Sequence, residues 1–208
     1  MSSKMKIDIH THSTYSDGYN TPKEMVEYAM KIGLDGLAIT DHNEIKGSLE
    51  ALKYSTRDFT VVPGVEVSSH EGHILCLGIM ENVDKYLPAA EVIDRVHDLG
   101  GIAIAAHPFD RLRSGVGDLI YELDFDAVEL YNGHTLLSTR RLEKIAKEIN
   151  KPVTGGSDAH IMDDIGCVYI KVGDDVLDSI KKGRIEIVSN ISKLRIIKGF
   201  LKSRLGLL

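Results

Sequence analysis

The chain has 208 residues, 43% of them apolar and 27% charged, which describes one globular domain with a sizeable core and excludes a disordered or fibrous protein. The 25 basic against 31 acidic side chains leave a net charge of −6, so nothing in the overall balance favours nucleic acid or an anionic membrane as partner. The N-terminal Met-Ser-Ser-Lys-Met-Lys lacks an apolar signal core and no apolar run approaches the roughly 18 residues of a membrane span, so a soluble cytoplasmic protein is expected.

Lys6 to His10 reads as a first strand. His10 and His12 are two residues apart and leave an extended chain on the same face, with Asp8 and Asp17 close by. Ser16-Asp17-Gly18 is a turn that can fold Asp17 back toward them. Thr21-Pro22 starts a helix as N-cap and first-turn proline, and Met25, Val26, Ala29, Met30 and Ile32 form its apolar stripe up to Gly33. A short strand, Gly36 to Thr40, delivers Asp41-His42. A helix follows from about Lys46 to Tyr54. Phe59 to Ser68 is a strand interrupted at Pro63-Gly64 and carries Glu66. The turn His70-Glu71-Gly72 leads into a strand from His73 to Ile79.

Pro88 to Leu99 is helical and stops at Gly100-Gly101. The continuous small apolar run Ile102 to Ala106 marks a strand buried on both faces, and it ends in His107-Pro108. Asp126 to Tyr131 is a strand and Leu136 to Ile149 a helix. Val153 to Gly156 leads into Ser157-Asp158-Ala159-His160. Val168 to Val172, a helix from about Asp174, and Glu186 to Ser189 close the fold. Residues 193–208 are basic and apolar at helical spacing, so an amphipathic C-terminal helix is expected there. Cys76 and Cys167 lie in apolar alternating runs and read as free core thiols.

Strands and helices alternate, which predicts βαβ units and a parallel sheet. Five strands end in a potential metal ligand. That regularity favours a barrel, whose active site is built from loops at the strand ends, over an open doubly wound sheet with a single switch point. The candidates are His10, His12, Asp17, His42, Glu66, His73, His107, Asp158 and His160. Six imidazoles and three carboxylates suit Mn, Fe, Zn or Co and exceed what one ion can use, so two or three divalent ions with a bridging carboxylate are expected.

His10-Thr-His12-Ser with Ser16-Asp17-Gly18, Thr40-Asp41-His42, Gly64-Val65-Glu66, His73-Ile-Leu, His107-Pro108 and Ser157-Asp158-Ala159-His160 occur in this order. Together they resemble the PHP (polymerase and histidinol phosphatase) metal-dependent phosphoesterases, over residues 6 to about 172. The resemblance implies a distorted (β/α)7 TIM-like barrel with three metals. It assigns His10, His12, Glu66 and Asp158 to one ion. Glu66 bridges to a second, completed by His73 and His107, and Asp17, His42 and His160 hold the third. A hydroxide bridging the metals would attack phosphorus. The implied substrate is a small phosphomonoester or a nucleotide. The alternatives are a 5′→3′ exonuclease on short RNA or DNA, a histidinol phosphatase, or a non-catalytic accessory domain stabilised by metal.

Glu66, His160 and Arg113 are the expected catalytic residues, with Arg113 as a phosphate clamp on the loop after His107 and Arg111 its alternative. His134, at another strand end, is a weaker candidate for substrate contact or general acid. His73 is preferred to His70 because a strand holds it, and His97 reads as a solvated histidine late in a helix. Asp8 and Asp41 either orient imidazoles or cap backbone amides. The acidic balance and the absence of interleaved basic and aromatic residues disfavour long nucleic acid as substrate.

Overall fold

This computed structural model describes residues 4–134 and 139–191, the side chains of Arg111 and Thr139 excepted. The expected helix at 193–208, the first turn of the helix expected from Leu136, and the Arg111 side chain lie outside the described residues. In chain order the elements are β1 (Met5–Asp8), α1 (Pro22–Lys31), β2 (Gly36–Leu37), α2 (Lys46–Ala51), β3 (Thr60–Val61), β4 (Gly64–Ser68), β5 (His73–Leu77), α3 (Ala89–Asp98), β6 (Ile102–Ala105), β7 (Ala127–Asn132), α4 (Thr139–Glu148), β8 (Val153–Gly156), β9 (Val168–Val172), α5 (Val176–Lys181) and β10 (Glu186–Ser189). Local signals act as expected at α1. Thr21 and Glu24 form a reciprocal capping box, with Pro22 in the first turn.

The strands form two five-stranded sheets, ordered β10-β9-β1-β2-β3 and β4-β5-β6-β7-β8. The α/β class is as expected, the distorted (β/α)7 barrel takes the form of two sheets with no closed ring among the described residues, and the expected parallel sheet is corrected to a mixed one. β5 runs antiparallel to both β4 and β6, and β9 antiparallel to β1 and β10. The cause is connection length. Only residues 69–72 separate β4 from β5, too few for the crossover that a parallel pair needs. β9 follows β8 through a single 3-10 turn, Met162–Asp164, and so returns beside β1 in the opposite sense. Two isolated parallel bridges, Thr11–Ala159 and His42–Glu66, join the sheets just beyond β1, β2 and β8.

Alternation divides the core. Leu75, Leu77, Ile102 and Ile104 point inward with Ile7, Ile9 and Ile170, whereas Ile74, Cys76, Ala103 and Ala105 face outward beneath Val92, Ile93 and Val96 of α3. β6 is thus apolar on both sides, as its sequence predicts. Met25, Val26 and Ala29 of α1 pack on Leu37, Ile39 and Val61 in a third cluster. Cys76 and Cys167 are buried and unbridged. Among the described residues no helix is long and apolar enough to cross a membrane.

Asp8 fastens the end of β1. Its Oδ1 accepts from the amides of Ser157 (3.0 Å) and His10 (3.4 Å), and its Oδ2 from that of Gly166 (2.8 Å). Burial pushes its carboxyl up to about 6 against the pull of these amides, so it remains mostly ionised at neutral pH. Asparagine offers one acceptor oxygen where three donors converge. Asp8→Asn is therefore expected to cost about 2 kcal/mol of stability, read from the urea midpoint, and an unchanged midpoint would contradict this role.

Candidate metal centre

The candidate ligands converge at the end of the sheets where the two bridges lie. His10 and His12 leave β1, His42 follows β2, His107 follows β6, and Asp158 and His160 follow β8. Glu66 is central in β4. His73 begins its strand instead of ending one, and because β5 is antiparallel its N-terminal end falls at this same edge.

Glu66 is 0% exposed, and five imidazoles surround its carboxylate. Oε1 lies 3.1 Å from His107 Nε2 and 3.2 Å from His73 Nδ1. Oε2 lies 3.1 Å from His42 Nδ1 and 3.4 Å from the Nε2 atoms of both His10 and His12. Asp158 Oδ1 is 3.1 Å from His12 Nε2 and 3.6 Å from His10 Nε2. Asp17 is 56% exposed at the outer edge, with Oδ2 3.3 Å from His160 Nε2 and 3.8 Å from His42 Nε2. Four groups bring ligand atoms within 4.8 Å of one another: His12-Asp17-His42-His160, His10-Glu66-His107, His10-His12-Asp158 and His42-Glu66-His73. All nine residues named from the sequence thus meet in one contiguous patch.

The electrostatics fit a site built for cations. Burial would raise the carboxyls of Glu66 and Asp158, but His10 and the neighbouring imidazoles hold both well below the usual range. Burial also opposes charge on His10, where Glu129, Glu66 and Asp158 win and raise its pKa; on His12 burial wins and lowers the pKa to about 4. His160 is raised to about 9, since Asp17 and Asp158 outweigh its burial. Without ions, protons on imidazole supply the positive charge that the buried carboxylates require. Even so, His10 Nε2, both ring nitrogens of His12, Glu66 Oε2, His73 Nδ1 and His107 Nδ1 are buried without a hydrogen-bond partner. Asp158 (φ 54°) and His107 (φ 30°) hold left-handed backbone conformations that are costly for residues other than glycine.

The other candidates are placed as follows. Arg113 Nη1 donates to Asp158 Oδ2 (2.8 Å). His134 Nε2 lies 3.0 Å from the Asp158 carbonyl oxygen, and burial lowers its pKa. Asp8 and Asp41 cap backbone amides and do not touch the imidazoles: Asp41 Oδ1 accepts from the Ser13 amide (2.7 Å) and the Ser16 hydroxyl (2.8 Å), which shapes the loop carrying Asp17. His97 is not simply solvated, since its Nε2 meets Asp126 Oδ2 at 2.8 Å.

Two buried polar residues escaped the sequence reading. Glu129 Oε1 lies 3.0 Å from His10 Nδ1, and Asn132 Nδ2 lies 3.0 Å from Glu129 Oε2 and 3.3 Å from Asp158 Oδ2. The available signal was a lone carboxylate inside the apolar strand Ala127 to Tyr131, a position where an unpaired charge is costly.

A family model described as the PHP domain matches residues 8–116, and one described as PHP-associated matches residues 138–185. The chain belongs to the PHP domain family. It is 35% identical to the uncharacterized protein MJ1587 of Methanocaldococcus jannaschii over 161 residues, covering 70% of this chain and 94% of that one. A phosphoribosyl 1,2-cyclic phosphate 1,2-diphosphodiesterase of Eggerthella lenta is 32% identical over 144 residues, 65% of this chain and 52% of that protein. The same fold occurs in a two-domain protein of Bacteroides vulgatus described as containing a predicted PHP-like metal-dependent phosphoesterase. It superposes with a TM-score of 0.73 at 16% identity, over 96% of this chain and 70% of that one.

Proposed function

We propose that this PHP-family chain hydrolyses a small phosphate ester, a phosphomonoester or nucleotide, with two or three divalent ions of the Mn, Fe or Zn class. The observation that carries the reading is Glu66, a buried carboxylate encircled by five imidazoles whose facing nitrogens are largely without hydrogen-bond partners. The donors are nitrogen and oxygen only, a set that suits these metals. By resemblance to the family, His10, His12, Glu66 and Asp158 would hold one ion, Glu66 with His73 and His107 a second, and Asp17, His42 and His160 a third; Glu66 Oε2 toward His10 and His12 and Oε1 toward His73 and His107 are in keeping with that bridge.

Ions held by these residues would supply hydroxide near neutral pH and would neutralise charge developing on the phosphoryl oxygens. The protein's own groups do the rest. Glu66 presents one oxygen to each side of the site and so fixes the spacing of the ligand groups. Arg113, 35% exposed and on the rim, donates to Asp158 and would hold a substrate phosphate with its remaining N–H groups. His134, with its Nε2 3.0 Å from the Asp158 carbonyl oxygen, would contact the substrate or steady the segment carrying Asp158. The Eggerthella lenta relative, named for a phosphoribosyl cyclic phosphate, is in keeping with a small substrate.

The test is phosphate release from nucleotides, sugar phosphates and an aryl phosphate with added Mn²⁺. A substrate held by one phosphate has few counterions to release, so kcat/KM on the best compound is expected to change by less than about tenfold between roughly 50 and 200 mM salt. A loss of about a hundredfold, with longer oligonucleotides outperforming dinucleotides, would replace the small substrate by a polynucleotide end. No turnover of any phosphate ester by the metal-loaded protein would leave a metal-stabilised accessory domain.

A further inference from the structure

β7 carries two buried polar side chains that the proposed chemistry does not use, Glu129 (0% exposed) and Asn132 (1% exposed). Residues three apart in a regular strand face opposite sides of the sheet. Here the register against β8 shifts between Glu129, opposite Thr154, and Tyr131, opposite Gly155, so β7 holds one extra residue. Such a bulge re-aims the side chains beyond it. Asn132 is thereby turned to the same side as Glu129, and both face the candidate ligands.

Each oxygen of Glu129 meets a residue of the metal centre. Oε1 is 3.0 Å from His10 Nδ1, while Oε2 accepts from the His107 amide at 3.1 Å and from Asn132 Nδ2 at 3.0 Å. Asn132 passes the contact on, with Nδ2 3.3 Å from Asp158 Oδ2 and Oδ1 accepting from the His134 amide at 2.9 Å. β8 makes room for the pair. A Cβ added at Gly156 would lie 2.6 Å from His10 Cβ and 3.0 Å from Glu129 Oε1.

We infer that Glu129, with Asn132, is the positioning group that sets the tautomer of His10 and the aim of Asp158, and so prepares the centre to take its metal. The inference rests on the reading of His10 as a ligand. The His107 amide and the Asn132 side chain both donate to Glu129, His10 Nδ1 meets its other oxygen, and a carboxylate is the side chain that offers acceptors alone. With its Nδ1 proton held by Glu129, His10 directs Nε2 toward Glu66, His12 and Asp158, and it is the Nε2 proton that a bound metal would displace. Fixing the far nitrogen of a ligating imidazole by a carboxylate sets ring orientation and raises its basicity. Glutamine would face at least one of the three donors with its own amide N–H₂. Where that donor is His10, the ring must move its proton to Nε2, the atom that has to be free.

The test compares wild type, Glu129→Gln and His10→Ala by zinc affinity in a chelator competition, and records ¹⁵N-histidine spectra of the zinc-loaded wild type. His10 is expected to carry its proton on Nδ1. Glu129→Gln is expected to bind zinc roughly tenfold to a hundredfold more weakly, by more than any fall in the melting temperature of the metal-free protein accounts for. Should His10→Ala bind zinc as wild type does, the ligand reading falls and this inference with it. Should His10→Ala weaken binding while Glu129→Gln does not, this inference alone is overturned. If Glu129→Gln does not fold, the wild-type spectrum decides: Nδ1–H supports the assignment and Nε2–H refutes it.

Discussion

Glu66→Gln is expected to lower kcat/KM by roughly a thousandfold or more, a far larger loss than at Arg113. Glutamine keeps the shape but offers one acceptor where the carboxylate presents two, each facing imidazoles. Its amide N–H₂ would also point at ring nitrogens that must be unprotonated to bind metal. The loss should appear in kcat and be accompanied by reduced metal content. Arg113→Ala is the informative contrast. If Arg113 holds the substrate phosphate equally in ground and transition states, KM rises and kcat stays close to wild type. Its bond to Asp158 adds a second expectation, a modest fall in metal affinity, because among the described residues Asp158 Oδ2 then keeps its 3.3 Å contact with Asn132 alone. Comparable small losses at both positions would contradict the bridging assignment of Glu66.

Chelation should lower the melting temperature by several degrees or more, about 2 kcal/mol at saturating metal, because ions that bind only the folded chain stabilise it by mass action. The size of the effect should depend on pH. In the stripped protein, protonated imidazoles balance Glu66 and Asp158. The pKa of His160 is raised from 6.5 to about 9 on folding, so its stabilising contribution is complete below 6.5 and is lost as the pH rises to about 9. Metal requires the unprotonated ring and binds more tightly over the same interval. The gap between loaded and stripped melting temperatures is therefore expected to widen from neutral to alkaline pH. An unchanged melting curve after verified metal removal would exclude a centre of several ions. A gap that narrows with pH would exclude the exchange of protons for metal.

Most ligand positions are legible in the sequence because they sit where an apolar run stops or begins; Glu66, in the middle of β4, stands out as a lone carboxylate between valines. A strand end at a polar residue is a local signal, and five strands with histidine or carboxylate at their ends leave little else to read. Sheet pairing is less local. The short turn before His73 was visible, and it already required a hairpin; the regular alternation of strands and helices concealed that. The antiparallel course of β9 follows from a missing helix between Gly156 and Val168, where sequence shows only a polar loop. Glu129 was hidden for a different reason. Its partners lie 119 and 22 residues away, and the bulge that aligns it with Asn132 leaves no trace in a period-two pattern. Arg113 was visible as a cation on the right loop, but its partner Asp158 is 45 residues distant.

The bridges Thr11–Ala159 and His42–Glu66 run through the ligand segments themselves. His10, His12 and His42 extend from one sheet, and Glu66, His73, His107 and Asp158 from the other. Ions seated among them would rivet the sheets together and close loops spanning most of the chain, much as a cross-link does. The centre is then a keystone as well as a reactive surface, and natural selection for a sound fold acts on the same side chains as selection for turnover. Descendants of such a chain that had abandoned catalysis would still keep these histidines and carboxylates for as long as they kept the architecture.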